Sequence, residues 1–277
     1  MGFCYETDAT RKWRLHDLDR IIDAFEDDVY QYVKDNDVHV KYDYTQVMLN
    51  ICGKTIVTLR EIITLSAFGH PDGAFSLARG LYEHMILLAF FEKHKADQNF
   101  QDTIDDFFLD GAIKGGKEKK YYSEYFENNI EKTKETDDAL KKLNELKHNK
   151  AKGDYWWTGL GSFAGVANWV IDTEQDPLFH KFLRALHLAY KQACVGLHSN
   201  SVGNMSRLGF KFDQSCVDTG YTLNGHGLPL WYATSTFIFI VGTLCSNFGI
   251  DYTKYKDELN NLAVFYKEQE KKEYING

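Results

Sequence analysis

Apolar residues recur every third or fourth position along most of this chain, the spacing of an amphipathic helix. Residues 12–35 carry Leu15, Leu18, Ile21, Ile22, Phe25, Val29, Tyr30 and Val33 in that register and predict a helix. Residues 42–68 predict a second, with Val47, Met48, Ile51, Ile56, Val57, Leu59, Ile62, Ile63 and Leu65. Gly69-His70-Pro71-Asp72-Gly73 then interrupts the pattern, with Asp72 a candidate N-cap for a third helix over 73–95. A shorter helix is expected at about 98–113, carrying Phe107, Phe108 and Leu109. Further helices are expected at about 163–171, 177–197, 229–248 and 251–272, with Pro177 suited to a first helical turn.

Between these elements the composition changes. Residues 117–152 are dense in lysine and glutamate, with few side chains to bury beyond Tyr121, Tyr122, Tyr125, Phe126, Leu140, Leu143 and Leu146. They predict a solvated helical arm or hairpin. Residues 153–162 form a glycine-bearing loop around Trp156 and Trp157. A polar loop follows Leu197, and residues 207–227 hold glycines that fit a short hairpin. The expectation is an all-α fold, a single multi-helix bundle domain over 1–277 around a buried central helix or pair, 73–95 and 229–248.

Composition narrows the class. A chain of 277 residues with 44% hydrophobic and 26% charged residues can bury a sizeable core and resembles an ordinary globular protein. The net charge of −8 argues against a general nucleic-acid coat, and no DNA partner is expected. The five cysteines (Cys4, Cys52, Cys194, Cys216, Cys245) are scattered, with no zinc spacing. No metal and no cofactor is expected. An odd cysteine count and no signal peptide predict free thiols and a cytoplasmic location. Residues 228–250 lack any charge and are long enough to span a bilayer. Their threonines, serines, glycines and Asn247, with no flanking basic residues, favour a buried core helix, so no membrane partner is expected.

The chemistry stands out on the third helix. Arg79, Glu83 and His84 sit in a strongly apolar stretch. Arg79 and Glu83 are four apart and share a helix face. Charges in such a helix must be paired or line a cavity, because burying a lone charge is prohibitive. They therefore form a structural clasp or the heart of a site. His198, Asn200 and Asn204 lie in the polar loop after an apolar helix, and His198 is a candidate functional histidine. His187, embedded among leucines, reads as a satisfied core histidine. No P-loop, nucleophile elbow, Rossmann glycine run or HExxH occurs.

The spacing Arg79-x-x-x-x-His84 is similar to that of HEPN-type helical ribonucleases, although Gly80 stands where those proteins favour a polar residue. That likeness implies metal-independent RNA cleavage by a homodimer. Arg79-Gly80-Leu81-Tyr82-Glu83 also resembles the Arg-x-Leu-x-Glu helix of the bacterial family "domain of unknown function 5677". The resemblance continues through Tyr155-Trp156-Trp157-Thr158-Gly159 and a tyrosine-bearing helix from Tyr190 to His198, over roughly residues 40–205. It implies an all-α bacterial protein of a kind met among defence and mobile-element genes. It also groups Arg79, Glu83, Trp157 and His198 in one site, and leaves His84 out of the pattern.

Three functional readings follow. In the first, the chain is an HEPN-like protein of bacterial stress or phage defence that cleaves RNA. Arg79 binds phosphate, His84 or His198 moves the proton, and Glu83 orients one of them. In the second, it binds a nucleotide or small molecule without turnover. Arg79 meets an anionic group, Trp156, Trp157, Tyr190 or Trp231 stacks on a ring, and Asn200 and Asn204 add polar contacts. In the third, it is an interaction module whose Arg79–Glu83 clasp is structural. A homo-oligomer and an RNA or nucleotide ligand are the expected partners.

Overall fold

The computed structural model describes residues 7–38, 43–127, 129–197, 208 and 222–276. Among them are ten α-helices and no strand. These are α1 (Asp8–Lys12), α2 (Leu15–Asp35), α3 (Tyr44–Ala67), α4 (Pro71–His94) and α5 (Phe100–Tyr125). They continue with α6 (Ile130–Glu145), α7 (Phe163–Asp172), α8 (Pro177–Leu197), α9 (Gly227–Phe248) and α10 (Thr253–Asn276), and a single 3-10 turn spans Trp156–Thr158. The protein is all-α. Of the expected 207–227 hairpin, all but Leu208 and residues 222–227 lies outside the described residues.

Local chemistry explains the boundaries. The expected helix over 12–35 is broken at Arg14, which takes a left-handed φ of 50° between α1 and α2. The apolar register continues across that break, so the pattern alone does not reveal it. Helix α4 starts at Pro71, whose fixed φ and missing N–H suit the first helical position. Asp72 is thus inside the first turn rather than capping it, and its carboxylate accepts the backbone N–H of Leu208 at 2.9 Å. Asp176 caps α8, accepting from the backbone N–H groups of Leu178 (2.8 Å) and Phe179 (3.2 Å).

The chain gathers into two compact units, each discontinuous in sequence. The first comprises residues 1–39, 48–88 and 174–277, and the second 40–47 and 89–173. The boundaries fall inside α3 and α4, where neither glycine nor proline marks a linker.

In the first unit α9 is buried on almost every side, with Leu230, Tyr232, Phe237, Ile240, Val241 and Leu244 inaccessible to solvent. Phe25 of α2 meets Phe237 edge-on at 5.8 Å and Tyr255 of α10 at 5.7 Å. Each such ring contributes about 2–3 kcal/mol when buried. Gly227 is required where α9 meets α10, because a Cβ there would lie 2.8 Å from the Glu270 backbone. Helices α4 and α9 are long and apolar enough to cross a bilayer by length and composition. Their most apolar windows are 61% and 67% buried within the protein, as in core helices.

In the second unit, α5 and α6 pair as a hairpin. Helix α5 runs on to Tyr125 instead of ending near residue 113, through Gly111, Gly115 and Gly116. Gly116 explains part of that continuity, since a Cβ there would sit 2.7 Å from the Leu140 side chain of α6. Lys120 bridges to Asp137 at 2.8 Å, and Asn129 caps α6 by accepting from Lys132 N–H at 3.0 Å.

Candidate functional site

Helix α4 places its chemistry by periodicity. Ala78, Leu81, Tyr82, Met85 and Ile86 are fully buried, while Arg79, Gly80, Glu83 and His84 lie on a half-buried flank. Arg79 Nε approaches Glu83 Oε1 at 3.7 Å, an ion pair too long for a hydrogen bond. Both side chains keep about a third of their surface, 35% and 29%.

Helix α8 brings a second stripe to the same place. His187, Tyr190 and Cys194 follow one another at intervals of three and four, so they share a face. Tyr190 donates its hydroxyl to Glu83 Oε1 at 3.3 Å. His187 Nδ1 meets the Tyr82 hydroxyl at 3.0 Å in a buried contact, and its ring stacks on Tyr190 at 5.9 Å. The Cys194 thiol stands beside Arg79 and Tyr190. From α9, Tyr232 stacks on Tyr82 at 6.1 Å.

The electrostatics follow from burial. It pushes the Glu83 carboxyl above its ordinary value, against the pull of Arg79 and the Tyr190 hydroxyl. It also raises the phenols of Tyr82, Tyr190 and Tyr232, so all three stay protonated donors at neutral pH. For Arg79, burial opposes the charge, but Cys194, Glu83 and Tyr190 together outweigh it and hold the guanidinium charged. Two donors in this cluster are left over. Arg79 Nε and the Tyr232 hydroxyl are buried and make no hydrogen bond among the described residues.

His84 belongs elsewhere. Five residues after Arg79, it points about 140° away round the helix. Its Nδ1 meets the Thr55 hydroxyl at 3.2 Å, and burial with Lys54 nearby lowers its pKa to about 4. It is therefore neutral at pH 7 and a weak base. His198, Asn200 and Asn204 lie outside the described residues.

The tryptophan pair is part of the second unit's interior. Trp157 stacks on Phe91 at 5.4 Å and meets Phe107 edge-on at 5.0 Å. Trp156 donates its indole N–H to Asp110 at 2.8 Å, and Lys147 lies 4.2 Å over its ring. The two residues are 4% and 3% exposed, so their rings serve the packing of this unit. Beside them Asp106, 1% exposed, accepts the backbone N–H groups of His148 (3.0 Å) and Asn149 (2.8 Å). Asp110 also accepts from Lys114 at 2.6 Å.

Among the described residues, no three or more His, Cys, Asp or Glu side chains are placed to hold a metal ion. What the α4–α8–α9 cluster offers is a charged guanidinium, three protonated phenols and one carboxylate. That set can bind an anion at Arg79 and accept a ligand's donor at Glu83. Sequence reasoning singled out Arg79, Glu83 and Tyr190 but passed over Tyr82, Cys194 and Tyr232. The 187–190–194 spacing was a readable sign of the α8 stripe, whereas Tyr232 carries none, being one more aromatic in an apolar helix.

Residues 45–215 match a family model described as a family of unknown function, DUF5677. That span covers more than half of the chain and takes in α4 and α8. The chain belongs to this family. The DUF5677 match thus includes Arg79, Glu83 and Tyr190, while Tyr232 lies beyond it. No curated protein and no solved structure matches the chain.

Proposed function

We propose that this DUF5677 protein binds a small anionic ligand at the Arg79–Glu83–Tyr190 cluster, with nucleotides the first class to test. The observation that carries the reading is the unused donor capacity at Arg79. Its Nε is buried, lacks a hydrogen bond among the described residues and stands 3.7 Å from Glu83. A buried, charged donor left unsatisfied costs about 1–3 kcal/mol or more, and an anionic acceptor removes that cost. The half-exposed Tyr190 ring gives a heterocycle a surface to stack on, and the Tyr232 hydroxyl is a second unused donor. Glu83 accepts an amine or hydroxyl of the ligand in place of Tyr190.

Calorimetry and thermal shift against mono- and dinucleotides, phosphate esters and small carboxylates test this reading. At least one member is expected to bind the wild type, with Arg79→Met weakening it by about 1.5–3 kcal/mol, the range for a charge-assisted hydrogen bond. If no member gives heat or a shift, or if binding survives Arg79→Met unchanged, the reading is wrong. RNA cleavage draws less support, because His84 diverges from Arg79 and is held neutral by burial.

A further inference from the structure

The second unit carries a surface that the ligand site does not use. At the turn between α5 and α6, Tyr121, Tyr122, Tyr125, Phe126 and Ile130 are 57%, 56%, 63%, 69% and 85% exposed. They fall within ten consecutive positions, so this is one patch rather than scattered side chains. Tyr121 packs on Tyr125 at 4.6 Å, and Tyr122 stacks on Phe126 at 5.3 Å. The four rings thus form two i,i+4 pairs, a slab already ordered on its helix. Five large side chains, each more than half exposed, amount to an apolar area of several hundred Å². That approaches the ~800 Å² per partner of a standard interface.

Charge decides what fits it. Residues 117–135 hold five lysines and five glutamates, a local balance of zero in a chain of net charge −8. Nucleic acid or an anionic bilayer would meet those five carboxylates, and neither gains from a neutral patch. Two copies of this chain repel each other over most of their acidic surface. They meet without net repulsion at a neutral, aromatic patch, where the lysines of one copy can face the glutamates of the other. A two-fold contact also needs one self-complementary surface, which interspersed charges of both signs provide.

We infer that the α5–α6 hairpin tip is a homodimer interface, with Tyr121, Tyr122, Tyr125 and Phe126 at its centre and a second copy of this chain as its occupant. Sedimentation velocity on the full chain across the micromolar range tests it. The wild type is expected to show a concentration-dependent monomer–dimer equilibrium. The Tyr125→Glu/Phe126→Glu variant, with its helicity checked by circular dichroism, should raise the dissociation constant at least about 30-fold, the loss expected for truncating an interface anchor. Leu188→Glu, which alters an exposed leucine of the first unit, should leave dimerisation unchanged. A second readout does not depend on the double variant folding. Ile130→Cys should cross-link between copies with a short bis-maleimide, above the background of the native thiols. A wild type that stays monomeric overturns the proposal, whether or not it floats with anionic vesicles or binds RNA. So does a dimer that survives the glutamate variant, or one that Ile130→Cys cannot trap.

Discussion

Each unit buries one polar cluster, and the two are built on opposite principles. In the second unit every acceptor is used: Asp106 takes two backbone N–H groups, and Asp110 takes an indole N–H and a lysine. In the first unit the Arg79–Glu83 pair is loose at 3.7 Å, and Arg79 Nε and the Tyr232 hydroxyl are left over. A saturated buried network fixes a loop, here the 147–157 segment with its tryptophans. An unsaturated one bears a standing cost that folding alone does not explain. The contrast separates a structural role from a binding role more sharply than charge or burial does, since both clusters hold buried charges beside aromatic rings.

The largest expected effect tests the saturated side. Asp106→Ala leaves two loop N–H groups without their acceptor and should cost about 3 kcal/mol or more. Urea unfolding, with hydrogen exchange to place the loss in the second unit, measures it. A cost under ~1 kcal/mol would mean that saturation is incidental and would remove one half of the contrast.

Acid should act on the first unit. His226 is fully buried at the start of α9, with Nε2 3.0 Å from the Thr222 carbonyl, and burial lowers its pKa from 6.5 to about 4. His84 is lowered to about 4 in the same way. The folded state binds these protons less well than the unfolded chain. Their contribution is therefore complete above pH ~6.5 and is lost as the pH falls towards ~4, by roughly 2 kcal/mol for His226 and less for the half-buried His84. Unfolding midpoints at neutral pH and at pH ~5 should differ accordingly, and His226→Asn should flatten the difference. An unchanged pH dependence in that variant would place the acid sensitivity elsewhere.

A smaller effect probes the flank of α4 itself. A Cβ added to Gly80 meets nothing within 4 Å. Gly80→Ala should therefore stabilise the helix by ~0.5–1 kcal/mol through the lower entropy of its unfolded state. Differential scanning calorimetry should show a rise of about 2 °C. A fall would show that the space over Gly80 is occupied in the folded protein.

How much of this was legible depends on the interaction that sets each feature. Helix α8 follows from Asp176-Pro177 and its periodicity alone, and its predicted limits match the observed ones, since capping and apolar spacing are local. The two-unit division leaves no trace, because its boundaries run through helices whose apolar pattern is unbroken. Arg79 and Glu83 announce themselves as an i,i+4 pair in an apolar helix. Trp156 and Trp157 look like ligand-stacking residues in a glycine loop, yet the acid that binds Trp156 is 46 residues away on α5. Tyr232 is invisible for the same reason: its unused hydroxyl matters only beside Tyr82, on another helix.

The smallest expected change in stability is the most decisive for the ligand. Replacing both members of a buried ion pair with apolar side chains of similar volume is often neutral, whereas removing one leaves the other uncompensated. Arg79 and Glu83 are loosely paired and about a third exposed, so the pair contributes little to folding to begin with. The double variant Arg79→Met/Glu83→Leu should therefore unfold within about 1 kcal/mol of the wild type. It should nonetheless lose the ligand that the wild type retains, read by native mass spectrometry of the purified protein and by the same thermal-shift panel. If the cluster were a clasp, as in the interaction-module reading, the double variant would keep every function that a folded protein has. A folded double variant that still binds the ligand would erase the distinction between the two clusters. A folded variant that does not bind would show that the unsatisfied donors of α4 are kept for a partner outside the chain.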